Sequence, residues 1–197
     1  IYWSQTAIDI MSQKYFRKNG IPVNGVKPIA EEGIYPEFYR SEALDNPEVP
    51  YSEQFTGEYS VHQVLHRLAG CWTYWGIKSG YFNSSKHALE FYDNCYDALY
   101  KQIAAPNSPQ FFNTGLNWAY GIKTDITNAP LYHNDIKTGE VVKSTEGFVN
   151  PQVHACFILG ISDNLVNKNG ILDLVSREAA VFKYGSGAGS NYSNIRG

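Results

Sequence analysis

Cysteine, basic runs and long apolar runs are all scarce in this 197-residue chain. Its three cysteines, Cys71, Cys95 and Cys156, are odd in number and widely spaced. No disulfide framework fits them, and the expected compartment is the reducing cytoplasm. Runs of Lys or Arg are missing and the formal net charge is -3, which excludes a surface that tracks a nucleic acid polymer. A single nucleotide stays allowed, because backbone amides can hold phosphates without basic side chains. No apolar stretch approaches the roughly 20 residues that span a bilayer, so no membrane association is expected. Internal repeats and low-complexity segments are also missing. The chain starts at Ile1 without a signal-peptide pattern and stops after the loop-like YGSGAGSNYSNIRG, which predicts a piece of something longer.

Apolar residues make up 43% of the chain and charged residues 18%, a globular composition able to fill one sizeable core or two small ones. Aromatics reach 15%, led by Tyr, a ring with a polar tip that suits wet pockets and interfaces. Ala7, Met11 and Tyr15 at i+4 spacing predict an amphipathic helix over 4–19, closed by Gly20. The proline-rich stretch 21–58 reads as an irregular arm laid over a surface. Ser60 and Gln63 form a capping-box pattern, predicting a helix from there to about Gly70, followed by the aromatic knot CWTYWG. Ser84 or Ser85 caps a helix to about Ala105, with Ala88, Tyr92, Cys95, Leu99 and Ile103 as its apolar stripe and Pro106 as its stop. A structured loop with a short helical piece is expected over 106–122, and a hairpin over 131–145 around KTGE. A buried strand (VHACFILGI), a turn, a helix over about 171–184 and a Gly/Ser loop complete the pattern, which is α/β.

The central question is why HACFILG, residues 154–160, carries a cysteine. Cys156 either fills space in a core or does chemistry at a strand, and its setting leaves both open. Cys71 and Cys95 read as packing residues. His62 and His66, one helical turn apart, match a metal-binding spacing, but two surface histidines explain them more simply, and no metal site is expected. His154 and Cys156 share a strand face and allow a weak Cys–His nucleophile reading. Gly185, Gly187 and Gly189 follow a helix, the wrong order for a dinucleotide fingerprint; the loop is either a connector or a place where backbone approaches a ligand. Asn107-Ser108-Pro109 is either a helix stop or a pocket wall.

PNSPQFFNTGL, NPQVHACFILGISDNLV, REAAVFKYGSGAGSN and the distal SNIRG together resemble the adenosylcobalamin-dependent (class II) ribonucleotide reductases. IYWSQTAIDIMSQKYFRKNG, RLAGCWTYWG and the GYF segment resemble the long bacterial branch of that family, so the likeness covers the whole chain in order. It implies a mainly helical N-terminal region, 1–105, leading into the first part of a ten-stranded α/β barrel, 106–197, with the ACF strand first in that barrel. The reaction it implies converts ribonucleotides to 2′-deoxyribonucleotides by thiyl-radical chemistry with adenosylcobalamin. A homodimer, a deoxynucleoside triphosphate effector and a thioredoxin-type reductant are implied as partners.

On this resemblance Cys156 matches one of two cysteines that reduce the substrate and become a disulfide. Ser108, Gln110, Ala155 and Gly187 fall at substrate-contacting positions, with Gln110 where the family commonly has Thr. Asp163, Asn164 and Leu165 fall at the effector site, with Arg196 as a phosphate partner; without the resemblance, Asp163 is a turn residue and Arg196 a solvated charge. The thiyl cysteine, its neighbouring acid/base groups, the second reducing cysteine, the shuttle cysteines and most of the cobalamin pocket have no counterpart in these residues. The isolated chain is therefore expected to be inactive as a reductase. A catalytically silent nucleotide-binding or assembly module of the same fold is the alternative.

Overall fold

The computed structural model describes residues 3–196. Ser4 caps helix α1 (Gln5–Ile10), its hydroxyl accepting from the Ala7 amide at 3.1 Å. The helix loosens into a π-helical turn, Met11–Tyr15, and the backbone is extended at Phe16. It stops short of the expected Gly20 for a tertiary reason. The Arg17 amide donates to the Glu58 carboxylate at 2.7 Å instead of continuing the helix. Two short antiparallel ladders then pin the irregular arm: β1 (Ile21–Pro22) with β4 (Phe55–Thr56), and β2 (Val26–Ile29) with β3 (Arg40–Ala43).

The Ser60–Gln63 capping box forms as expected and opens α2 (Val61–Lys78). The helix runs straight through Gly70 and includes CWTYWG, so the expected stop at Gly70 is wrong. That glycine serves packing. A Cβ there would lie 2.1 Å from Cη2 of Trp118, so only hydrogen lets the indole close on the helix. Ser84 caps α3 (Ser85–Tyr100), which ends before the expected Ala105; Gln102 takes a left-handed backbone and Ile103 is exposed. Of the expected stripe, Ala88 and Leu99 are buried.

The 106–122 loop folds as two short helices, α4 (Ser108–Asn113) and α5 (Leu116–Tyr120), hinged at Gly115. Gly115 has φ 80°, and a Cβ would lie 2.1 Å from the Arg67 carbonyl oxygen, so glycine is required twice over. Two apolar clusters fill the helical part, one around Phe38, Tyr74 and Trp118, the other around Met11, Leu65, Leu68 and Phe111.

The hairpin is present as β5 (Tyr132–Asn134) and β6 (Val141–Lys143). Beyond it lies a parallel strand–helix–strand unit: β7 (Cys156–Gly160), α6 (Ile171–Lys183) and β8 (Gly187–Asn191). Two expectations are corrected here. The Gly/Ser segment is a strand, because β7 offers it a parallel partner that outweighs the low strand preference of glycine. Strand β7 is not buried: Cys156, Ile158 and Gly160 are exposed, Ile158 at 83%, while Phe157 and Leu159 are half-covered. Alternate residues face opposite sides, and the side carrying Cys156 is bare. The architecture is thus mixed α/β with two-stranded sheets; the described residues form no closed barrel.

Candidate functional site

Cys156 opens β7 and stands in register with Gly187 at the start of β8. The Gly187 amide donates to the Ala155 carbonyl at 2.6 Å, and the Ser186 hydroxyl donates to the His154 carbonyl at 2.6 Å. Three of the expected substrate residues, Ala155, Cys156 and Gly187, therefore meet at the amino ends of two parallel strands. The Gly187 amide thus occupies one of the two lone pairs of the Ala155 carbonyl. A Cβ on Gly187 would lie 3.5 Å from the Cys156 sulfur, so hydrogen at that position leaves one flank of the thiol open.

His154 does not activate this thiol. Its ring Nδ1 faces Oε1 of Gln152 at 3.3 Å, and no hydrogen bond joins it to Cys156 among the described residues. The Cys–His nucleophile reading fails on that geometry. Cys71 is fully buried, and burial pushes its thiol pKa well above the ordinary range; burial also raises that of Cys95. The packing assignment holds for Cys71, whereas Cys95 is only half-buried on α3.

Helix α4 brings up the remaining substrate candidates. Asn107 caps it, accepting from the Gln110 amide at 3.3 Å. The Ser108 hydroxyl pairs with the Tyr15 hydroxyl at 3.2 Å. The Gln110 carbonyl oxygen accepts from Trp72 Nε1 at 3.2 Å and from the Thr114 hydroxyl at 2.5 Å, which leaves its NH2 group without a protein partner among the described residues. Asn113 joins this helix to the strands. Its side-chain NH2 donates at 2.8 Å to the carbonyls of both Gln152 and Tyr184, the chain segments leading into β7 and β8.

Beneath α4 lies an ion pair hidden from solvent. Arg67 Nε meets Glu58 Oε1 at 2.7 Å, with both side chains at 0% exposure. The guanidinium also donates at 2.7 Å to the carbonyls of Phe111 and Thr114, while Glu58 accepts from the Arg17 amide and the Tyr120 hydroxyl. A buried charge persists only when paired and hydrogen-bonded, and each lone pair here has a donor. This network fixes α4 to α2 and α5. Sequence reading missed Arg67, Glu58 and Asn113. The signal was one arginine inside VLHRLAGC, three residues from Val64 and four from Cys71 on a buried helix face.

The expected effector residues lie at the other end of the unit. Asp163 follows β7 and Arg196 follows β8, and they meet as an ion pair at 3.2 Å. Asn164 folds the intervening turn, accepting from the amides of Val166 and Asn167 at 3.0 and 2.9 Å. Leu165 is 60% exposed. A five-residue strand at about 3.3 Å per residue separates this end from Cys156 by roughly 15 Å.

His62 and His66 each engage a tyrosine of α3. Their rings hydrogen-bond the hydroxyls of Tyr96 and Tyr92 on α3, the latter at 2.8 Å. Among the described residues, no three His, Cys, Asp or Glu side chains are placed to hold a metal ion. No described helix is long and apolar enough to cross a membrane. A cleft of about 680 Å³ lies between α2 and the hairpin and is walled by Trp75, Tyr132, His133, His154 and Phe157. Clefts of this size suit ligands far smaller than a corrin with its nucleotide tail. That cleft by itself does not fit a cobalamin.

Residues 1–102 match the family model described as class II vitamin B12-dependent ribonucleotide reductase. A vitamin B12-dependent ribonucleotide reductase of Bradyrhizobium diazoefficiens is 50% identical over 199 residues, covering 99% of this chain and 16% of the relative. That of Agrobacterium fabrum is 46% identical, with 99% and 15% covered. A more distant one from Streptomyces coelicolor is 31% identical, with 99% and 13% covered. The chain thus spans less than one-fifth of the length of the relatives it matches. By the family match and these identities together, this chain belongs to the class II vitamin B12-dependent ribonucleotide reductases.

Proposed function

We propose that these residues form part of the substrate wall of an enzyme that reduces ribonucleotides to 2′-deoxyribonucleotides. Cys156 is one of its two reducing thiols. The single observation that carries this reading is the exposed Cys156 sulfur beside Gly187, at the ends of two parallel strands. The strand–helix–strand unit is the start of the family's ten-stranded barrel, and 1–105 and 106–197 divide the chain into helical and barrel parts.

The chemistry suits an open thiol. Replacing the ribose 2′ hydroxyl by hydrogen, with loss of water, requires two protons and two electrons. Two thiols supply both: one protonates the departing oxygen, the pair surrenders two hydrogens, and a disulfide forms. The sum is ROH and two thiols giving RH, water and a disulfide. A thioredoxin-type partner restores the dithiol. Adenosylcobalamin, held by other parts of the enzyme, supplies the radical on a different cysteine. This chain's own task is positional. Asn113 and the Arg67–Glu58 pair hold α4, and with it Ser108 and the Gln110 NH2, near the strand ends that carry Cys156. At the far end, Asp163, Asn164, Leu165 and Arg196 form part of a deoxynucleoside triphosphate site. In that reading the Asp163–Arg196 pair opens to let Arg196 meet phosphate. The full enzyme works in the cytoplasm as a homodimer.

The test is Cys156→Ser in the full-length protein. Multiple turnover is lost while substrate and effector binding stay near wild type; wild-type turnover in that variant refutes the assignment.

A further inference from the structure

A second cleft, of about 600 Å³, lies where the π-helical turn and the following extended segment face α4 and the end of α6. Its wall carries four cationic side chains, Lys14, Arg17, Lys18 and Lys183, and no Asp or Glu among the described residues. That is a quarter of the 16 Lys and Arg of a chain whose net charge is -3. Gathering like charges without a counter-charge costs free energy unless a ligand supplies the opposite sign.

The protein partners of these cations are mostly carbonyl oxygens. Arg17 Nε donates to the Asn19 carbonyl at 3.0 Å, Lys183 Nζ to the Asp125 carbonyl at 3.0 Å, and Lys18 to the Ser12 carbonyl. Nearby carboxylates direct their hydrogen bonds elsewhere, although Asp125 still attracts Lys183 and Glu58 attracts Arg17. Glu146 accepts from the amides of Thr124, Phe148 and Val149, Glu58 holds Arg67, and Asp125 accepts from Thr127. Arg17 is also preorganised: its guanidinium lies 5.6 Å from the centroid of the Phe148 ring. Partial burial and the nearby Arg67 charge lower its pKa, the environment an anion would relieve. Phe112 and Phe148 supply aromatic walls beside the charge, the pairing of groups that receives a phosphate chain and a flat ring. Neither Cys156 nor Gly187 lines this cleft.

We infer that this cleft binds a di- or triphosphate chain, at a site separate from the Cys156 thiol. The four cations match the three to four negative charges of such a chain near neutral pH. Two sources carry that chemistry, a nucleoside polyphosphate and an inorganic polyphosphate. The inference stands independently of the role given to Cys156.

Lysine footprinting on the full-length protein tests it, with an acetylating reagent, mass spectrometry, and tripolyphosphate or ADP as probe. Either probe slows acetylation of Lys14, Lys18 and Lys183 several-fold while leaving the exposed Lys86 unchanged. Protection by both identifies the phosphate chain as sufficient; protection by ADP alone identifies a nucleotide whose base meets the aromatic wall. In the double variant Lys14→Gln, Lys18→Gln, the concentration that half-protects Lys183 rises about tenfold, a loss of about 1.4 kcal/mol. Both substitutions are on exposed side chains, so folding is retained. Equal acetylation with and without both probes overturns the inference. So does equal slowing at Lys86, or unchanged protection of Lys183 in the double variant. None of these outcomes bears on turnover by Cys156.

Discussion

Arg67→Met isolates the ion pair that anchors α4. The substitution keeps much of the side-chain volume but leaves the Glu58 carboxylate at 0% exposure without its cation. It also strips a donor from the carbonyls of Phe111 and Thr114, which accept from Arg67 at 2.7 Å. Breaking a buried pair from one side costs about 3–5 kcal/mol, and the orphaned carbonyls keep the figure toward the upper end. With a urea dependence of about 2–3 kcal/mol per molar, the unfolding midpoint falls by about 1–2 M. Adding Glu58→Leu to Arg67→Met removes the stranded charge and recovers a large part of the loss, since apolar replacement of a whole buried pair is often near neutral. Urea unfolding followed by circular dichroism and tryptophan fluorescence reads both, with Trp72 reporting on its bond to Gln110. A midpoint shift under about 0.3 M for Arg67→Met, or no recovery in the double variant, refutes the claim that this network holds the helix.

Other outcomes follow from the same geometry. Asn113→Ala removes two bonds from a buried amide and destabilises the junction of α4 with both strands by about 2–4 kcal/mol, read by the same unfolding assay. Gly187→Ala folds normally, because its added methyl group lies 3.5 Å from the Cys156 sulfur, yet it slows labelling of Cys156 by a bulky thiol reagent. In the wild type that reagent labels Cys156 first and Cys71 last, with Cys71 reacting only on unfolding; peptide mapping decides the order. The His66 ring wedges against Tyr92 and Trp118, with centroids 5.8 and 5.3 Å away, and desolvation lowers its pKa although the residue's outer edge is open. The unfolded chain then binds more protons than the folded one below about pH 6.5, so stability falls as pH drops from that value toward the folded pKa. His66→Gln flattens that part of the pH–stability profile.

What the sequence made legible was local or carried by extended motifs. The Ser60–Gln63 capping box, the hairpin around KTGE and the helix at 171–183 depend on neighbours within a few residues, and all three are present. What failed depended on distant partners. Gly70 looked like a helix stop because its neighbour Trp118 lies far along the chain. The 187–191 segment looked like a loop because its strand character comes from pairing with β7. The apolar run at 156–160 looked buried, yet one side of β7 is bare. At the site, the resemblance brought Ala155, Cys156 and Gly187 to one place, and Asp163 and Arg196 to another. It said nothing of Asn113 or of the Arg67–Glu58 pair, whose roles exist only through contacts across more than one element.

The central claim is that the exposed Cys156 sulfur reduces substrate, and the most direct measurement is product formed per active site by the full-length Cys156→Ser protein. The account predicts no sustained deoxyribonucleotide formation with nucleotide binding retained. Sustained turnover at the wild-type rate contradicts it.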